Sequence, residues 1–209
     1  MPATRKQRTT STYDVHPSLG MYQSSLAALK QKTGRTMEEW IKLVKKEGPG
    51  TEKERHAWLK AEHGLGMNYA GWIAEHSVGK GDDGNPETYL RQAEEFVKNM
   101  FSGPKRSLRP IFDELLKLGR SLGADVKVCP CKTIVPLYRN HVFAQIKQTT
   151  RTRIDLGLAL KDTRVPKWLI DTGGFAKKDR ITHRIEITSA KDIDAEVKKW
   201  LKTAYEMDR

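Results

Sequence analysis

The octet Arg153–Leu160, RIDLGLAL, alternates without a fault. Ile154, Leu156, Leu158 and Leu160 fall on one side of an extended chain, and Arg153, Asp155, Gly157 and Ala159 on the other. A period of two is incompatible with a helix. It demands a strand with one face to bury, and hence a sheet with a covering layer. The segment HRIEI, 183–187, alternates in the same way, with Ile185 and Ile187 inward. HVFAQIKQ follows a turn at Arg139-Asn140, and ADVKVCPCKTIVPLY, 124–138, reads as extended, its prolines marking an edge or bulges. The chain then ends in a helical pattern. Ser189-x-x-Asp192 caps it, and Ile193, Val197, Trp200, Leu201, Ala204 and Tyr205 form its apolar stripe. Before the strands, PETYLRQAEEFVKNMF and LRPIFDELLKLGRSLG read as two helices separated by the basic loop SGPKRS. The predicted class is α+β, with helices on one face of an antiparallel sheet.

The first part of the chain has no such alternation. Thr36-x-x-Glu39 and Thr51-x-x-Glu54 are capping boxes, each opening a short helical pattern. Met37, Trp40, Ile41 and Val44 share one helical face, and Gly48-Pro49-Gly50 stops that helix. Gly34 and Gly64 stand where helices end. Trp40, Trp58 and Trp72 are expected to fill the core of this small domain. The stretch from His56 to Glu75 also has the outline of a helix–turn–helix, turning at Gly64-Leu65-Gly66, although four glutamates around it would repel phosphate. The expected organisation is a disordered basic tail over 1–17, a helical domain over 18–79, a linker over 80–86 and an α+β domain over 87–209. The linker is expected in the run GKGDDGNP, 79–86, which is rich in glycine and acid.

Charge narrows the partners. The 209 residues carry 38 Lys/Arg against 26 Asp/Glu, a formal net charge of +12. From Pro86 onward there are 25 Lys/Arg against 16 Asp/Glu, so the excess lies mostly in the second domain. Such a balance favours nucleic acid or another phosphorylated ligand. No apolar run approaches the roughly 20 residues of a membrane helix, and the N-terminus lacks the apolar core of a signal peptide. Membrane partners are therefore not expected. Cys129 and Cys131 are too close for an ordinary disulfide, which points to a reducing, cytoplasmic setting.

The stretch LIDTGGFAKKDRITHRIEI, 169–187, concentrates the binding signals. Gly173-Gly174 followed by Lys177, Lys178 and Arg180 lacks the spacing of a P-loop. A glycine pair between strands still offers backbone N–H groups to an anion; a solvated hairpin is the alternative. On the sheet, strict alternation sends Val142, Ala144 and Ile146 toward the helices, and Phe143, Gln145 and Lys147 away. Arg153, Asp155, Arg184 and Glu186 join that outer face. An aromatic ring among cations on an open sheet is a base-stacking arrangement; cross-strand ion pairing is its competitor. The expected binding face comprises Lys132, Arg139, Phe143, Lys147, Arg151, Arg153, Lys177, Lys178, Arg180 and Arg184.

Catalytic and metal signatures are weak. One Cys-x-Cys lacks the second ligand pair that zinc requires. The histidines form no H-E-x-x-H, and Asp125-Val126-Lys127 has no further acid converging on it. No catalytic residue, metal or cofactor is assigned. The expected function is non-enzymatic binding of nucleic acid. The alternatives are a scaffold or homodimerisation module acting through Tyr138 and Phe143, and a small-anion or metal carrier.

Two long strings carry a family resemblance. KTGRTMEEW with HAWLKAEHGLGMNYAGWIA resembles a small helical bacterial domain of unknown function. CPCKTIVPLYRNHVFAQIK, TRTRIDLGLAL and LIDTGGFAKKDRITHR resemble a second bacterial domain of unknown function, often fused to the first. The second is also distantly similar to small α+β domains of the iron-chaperone-like, frataxin-like type. The resemblance implies the domain order and the α+β fold, and it carries over no catalytic residues.

Overall fold

A computed structural model describes residues 11–81 and 84–209. Residues 1–10 of the expected tail, and Asp82 and Asp83 of the expected linker, lie outside the described residues. The chain divides into two compact units. One spans Pro17–Thr88; the other joins the stretch ending at His16 to Tyr89–Arg209.

The first unit is helical: α1 (Pro17–Ala27), α2 (Leu29–Thr33), α3 (Met37–Glu47), α4 (Glu52–His63) and α5 (Met67–Ser77). Both capping boxes form. Glu39 N–H donates to Thr36 Oγ1 at 3.2 Å while Glu39 Oε2 accepts from Thr36 N–H at 2.7 Å. Thr51 and Glu54 repeat the exchange at α4. The core gathers Leu29, Trp40, Val44, Leu59, Leu65, Ala70, Ile73 and Ala74. Trp40 is buried and donates its indole N–H to Thr33 Oγ1 at 2.8 Å. Of the three tryptophans expected to fill this core, Trp58 is only half-buried at its margin, and Trp72, also half-buried, lies edge-on to Tyr22 and Tyr69 instead.

The second unit contains α6 (Pro86–Met100), which begins just before the division, α7 (Arg109–Arg120) and α8 (Ala195–Met207). Its strands are β1 (Lys127–Val128), β2 (Val135–Tyr138), β3 (Val142–Gln148), β4 (Ile154–Leu158), β5 (Ile170–Asp171) and β6 (His183–Ile187). They form one antiparallel sheet in the order β1-β2-β3-β4-β6-β5. The fold is α+β. Helix α8 packs on β3 and β4, and α7 approaches β2 so closely that a Cβ on Gly119 would lie 2.7 Å from Leu137 Cδ1. Ile154, Leu156 and Leu158 from the alternating octet, with Ile185 and Ile187, enter a single core with Phe112 and Leu115 of α7 and Trp200 and Leu201 of α8.

Three local expectations are corrected. Residues 11–16 do not behave as tail. Tyr13 is buried in the sheet's core, Asp14 N–H donates to the Val128 carbonyl at 2.8 Å, and Asp14 Oδ2 accepts from Val128 N–H at 2.8 Å. Arg120 adds contacts to Asp14 and to the Thr12 carbonyl. The free edge of β1 is thereby covered, as edge strands require. At the other end, the Ser189/Asp192 box closes a separate 3-10 turn, Ala190–Asp192, and α8 takes Asp194 as its own cap. The third correction is a bulge. Leu137 pairs with Ala144 but Tyr138 pairs with Val142, so Phe143 is an extra residue in β3. Alternation fails there, and Phe143 turns inward to meet the Tyr205 ring of α8 edge-on, centroids 5.5 Å apart.

Candidate anion-binding groove

The loop joining β5 to β6 is shaped by its glycines. Gly173 has φ +67°, a left-handed conformation natural to glycine. A Cβ on Gly174 would lie 2.2 Å from the Ile181 carbonyl oxygen, so the two arms of the loop touch through backbone there. Thr172 Oγ1 donates to that same carbonyl at 2.8 Å and accepts from Gly174 N–H at 3.2 Å. Gly173 N–H donates to Asp171 Oδ1 at 2.7 Å. Both glycine N–H groups are thus engaged by neighbouring side chains, so of the two readings of this glycine pair the backbone anion nest is closed. Thr182 fixes the loop to β4, its N–H donating to the Leu158 carbonyl and its Oγ1 accepting from Leu160 N–H.

What the loop builds instead is a wall. Its residues Phe175, Lys178 and Arg180 face His141 at the start of β3, Ala159 and Lys161 beyond β4, and Met207–Arg209 at the end of α8, across a groove of about 590 Å³. That volume lies within the roughly 300–1,000 Å³ of ordinary ligand sites. Four Lys/Arg line it against two aspartates. Asp208, nearly buried, accepts from His141 N–H at 2.7 Å, contacts His141 Nδ1 at 3.1 Å, and lies 3.6 Å from Arg180. This carboxylate and the negative end of α8 are thereby met by His141 and Arg180. Lys161, Lys178 and Arg209 make no ion pair among the described residues, so their charges stay available to the groove. Lys161 and Lys178 have φ of +54° and +57°. They are the non-glycine residues with positive φ among those described, and such outliers concentrate at functional sites.

The ten sequence-predicted site residues scatter. Lys178 and Arg180 line this groove, with Lys177 exposed beside them. Lys132 and Lys147 meet Lys105 around a different hollow of about 500 Å³. Arg151 is exposed in the turn between β3 and β4. Arg139 is occupied: its Nε donates to Asp125 Oδ2 at 2.8 Å, and its guanidinium lies 4.4 Å above the Tyr205 ring.

Arg153 and Arg184 are spent on the sheet. Arg184 bonds Asp155 at 2.6 Å and lies 3.1 Å from Glu186; Arg153 lies 2.9 Å from Glu186. Arg153 Nε also stands 2.8 Å from Asp155 Oδ1, without the alignment of a hydrogen bond. Cross-strand pairing has won on that face, because two acids and two arginines at adjacent registers neutralise one another before any ligand arrives. Phe143, fully buried, offers no ring to a base and no contact to a second copy. Tyr138 is held by His16 Nε2 at 3.0 Å. The groove residues that sequence reasoning missed are His141, Lys161, Phe175, Asp208 and Arg209. An aromatic residue between a glycine pair and a run of cations was the one local signal, and it marks Phe175.

Near the opposite edge, Cys129 is buried with its Sγ 3.6 Å from the Val15 carbonyl, and Cys131 Sγ lies 3.7 Å from the Cys129 carbonyl. Burial, with Asp14 and Cys131 close by, pushes the Cys129 thiol up to about 12 and also raises that of Cys131. No three His, Cys, Asp or Glu side chains come together as a metal site among the described residues. None of the described helices is long and apolar enough to cross a membrane.

No curated protein and no solved structure is significantly similar to the chain. Residues 21–78 match a domain of unknown function (DUF4287). Residues 97–208, more than half of the chain, match a second domain of unknown function (DUF5655), and the protein belongs to that family, with the helical domain preceding it.

Proposed function

We propose that this is a non-enzymatic protein of the bacterial cytoplasm that binds a phosphate-bearing partner, nucleic acid foremost, through the groove between the β5–β6 loop and the end of α8. The support is the set of unpaired cations Lys161, Lys178 and Arg209 around a ligand-sized groove. The excess of basic over acidic residues beyond Pro86 agrees with it. Cations already paired on the sheet contribute little, because a phosphate would first have to displace a carboxylate.

The test is a salt titration of the full chain against a single-stranded oligonucleotide. Each phosphate neutralised on a single strand contributes about −0.7 to the log–log salt slope, so three contacts give a slope of about −2. Replacing Lys161, Lys178 and Arg209 together by alanine should flatten the slope while leaving thermal stability unchanged. Binding that is absent at low salt, or a slope indifferent to the triple substitution, would exclude this function. The corresponding substitution of Arg153 and Arg184 should leave the slope as it was.

A further inference from the structure

The groove is aromatic as well as cationic. Of the five phenylalanines, Phe175 alone is exposed, at 58%, and it stands on the groove wall. Ala159, Ala176 and Met207 give the same groove an apolar lining between the charges. A bare phosphate needs no such surface. A ligand with a flat apolar body joined to a phosphate uses both.

We infer that the groove takes an unpaired nucleotide of a single-stranded nucleic acid, its base stacked on Phe175 and its phosphates held by Lys161, Lys178 and Arg209; this rests on the phosphate-binding function proposed above and narrows it. In a duplex both faces of each base are covered by neighbours, so a ring on a loop has nothing to stack on. A single strand exposes those faces, and aromatic residues inside cationic grooves are how such strands are held. The ring is also presented in advance. Gly174 lies in contact range of the Ile181 backbone, Asp179 N–H donates to the Gly174 carbonyl at 2.8 Å, and Thr182 anchors the loop to β4. Little order remains to be lost on binding. Lys161 and Lys178 hold left-handed backbone that lysine adopts only when its surroundings impose it, and both line this one groove. An anionic lipid surface shares the phosphate chemistry. It would call for a cluster of exposed apolar side chains, and Phe175 is the one large exposed hydrophobic residue lining the groove.

The experiment uses the full chain, a fluorescent ten-residue oligothymidylate, the same strand annealed to its complement, inorganic tripolyphosphate as competitor, and vesicles containing anionic lipid. Phe175→Ala should weaken binding of the single strand about 5- to 100-fold, with Phe175→Trp restoring it. Duplex binding and the competition by tripolyphosphate should not change. Thermal midpoints equal to the parent's confirm that each variant is folded. If single-strand affinity ignores Phe175 while tripolyphosphate still competes in a lysine-dependent way, the base-stacking role is refuted and phosphate binding stands. If neither oligonucleotide nor tripolyphosphate binds, both are refuted. Vesicle binding that depends on Phe175, without oligonucleotide binding, assigns the groove to lipid and overturns the inference.

Discussion

Replacing Phe143 by alanine separates the core from the binding surface. The Phe143 ring is fully buried and packs edge-on against Tyr205. Its removal loses the transfer free energy of the ring and leaves a cavity that β3, hydrogen-bonded on both sides, cannot close. Buried Phe→Ala changes cost about 3–5 kcal/mol, and the lost aromatic pair belongs to the upper part of that range. A loss of about 4 kcal/mol is a large share of the roughly 5–15 kcal/mol that holds an ordinary domain together. At about 2–4 °C per kcal/mol for a chain of this size, the midpoint should fall by roughly 8–16 °C. The assay is thermal unfolding followed by the infrared amide band of β-structure, which reports the sheet-containing unit alone because every described strand lies there. Phe175→Ala in the same assay should stay within about 0.5 kcal/mol, as exposed substitutions do. A Phe143→Ala loss below about 1 kcal/mol would mean that the bulge does not turn the ring inward, and the assignment of core and surface rings would have to be reversed.

Three further outcomes are expected. Lys178→Gly relieves a left-handed backbone that costs lysine about 1 kcal/mol, so it should raise stability slightly while weakening oligonucleotide binding; a loss of stability would contradict the strain. Ellman's reagent should react slowly with native protein at pH 8 and find two thiols after denaturation, because burial raises both cysteines; rapid native labelling of Cys129 would disprove its burial. Burial lowers the His16 pKa below its ordinary 6.5. Its neutral form is therefore favoured on folding, the stability is fully present above about pH 6.5, and it is lost as pH falls through the lower folded value. Urea titrations from pH 7.5 to 5 should show this decline, and His16→Gln should flatten it.

Elements governed by neighbours in the chain were legible from the sequence. The Thr36/Glu39 and Thr51/Glu54 boxes need only a helical turn, and each formed as its spacing required. The octet at 153–160 declared a strand because side chains two apart must share a face, and Ile154, Leu156 and Leu158 are buried in the core accordingly; Asp155 and Gly157, expected on an open face, are buried as well, which only the neighbouring strands and loop decide. Only the tertiary structure decided the rest. Phe143 faces the core because Tyr138 pairs one residue out of step, a choice made by the partner strand. Asp14 covers β1 across more than a hundred residues of chain. Arg153 and Arg184 are neutralised because the register sets Asp155 opposite Glu186. The groove draws on residues near 141, 160, 178 and 208, separated along the chain and joined only where strands, loop and helix end meet. Sequence supplied its charges, but which of them remain free depends on which acids folding brings within reach.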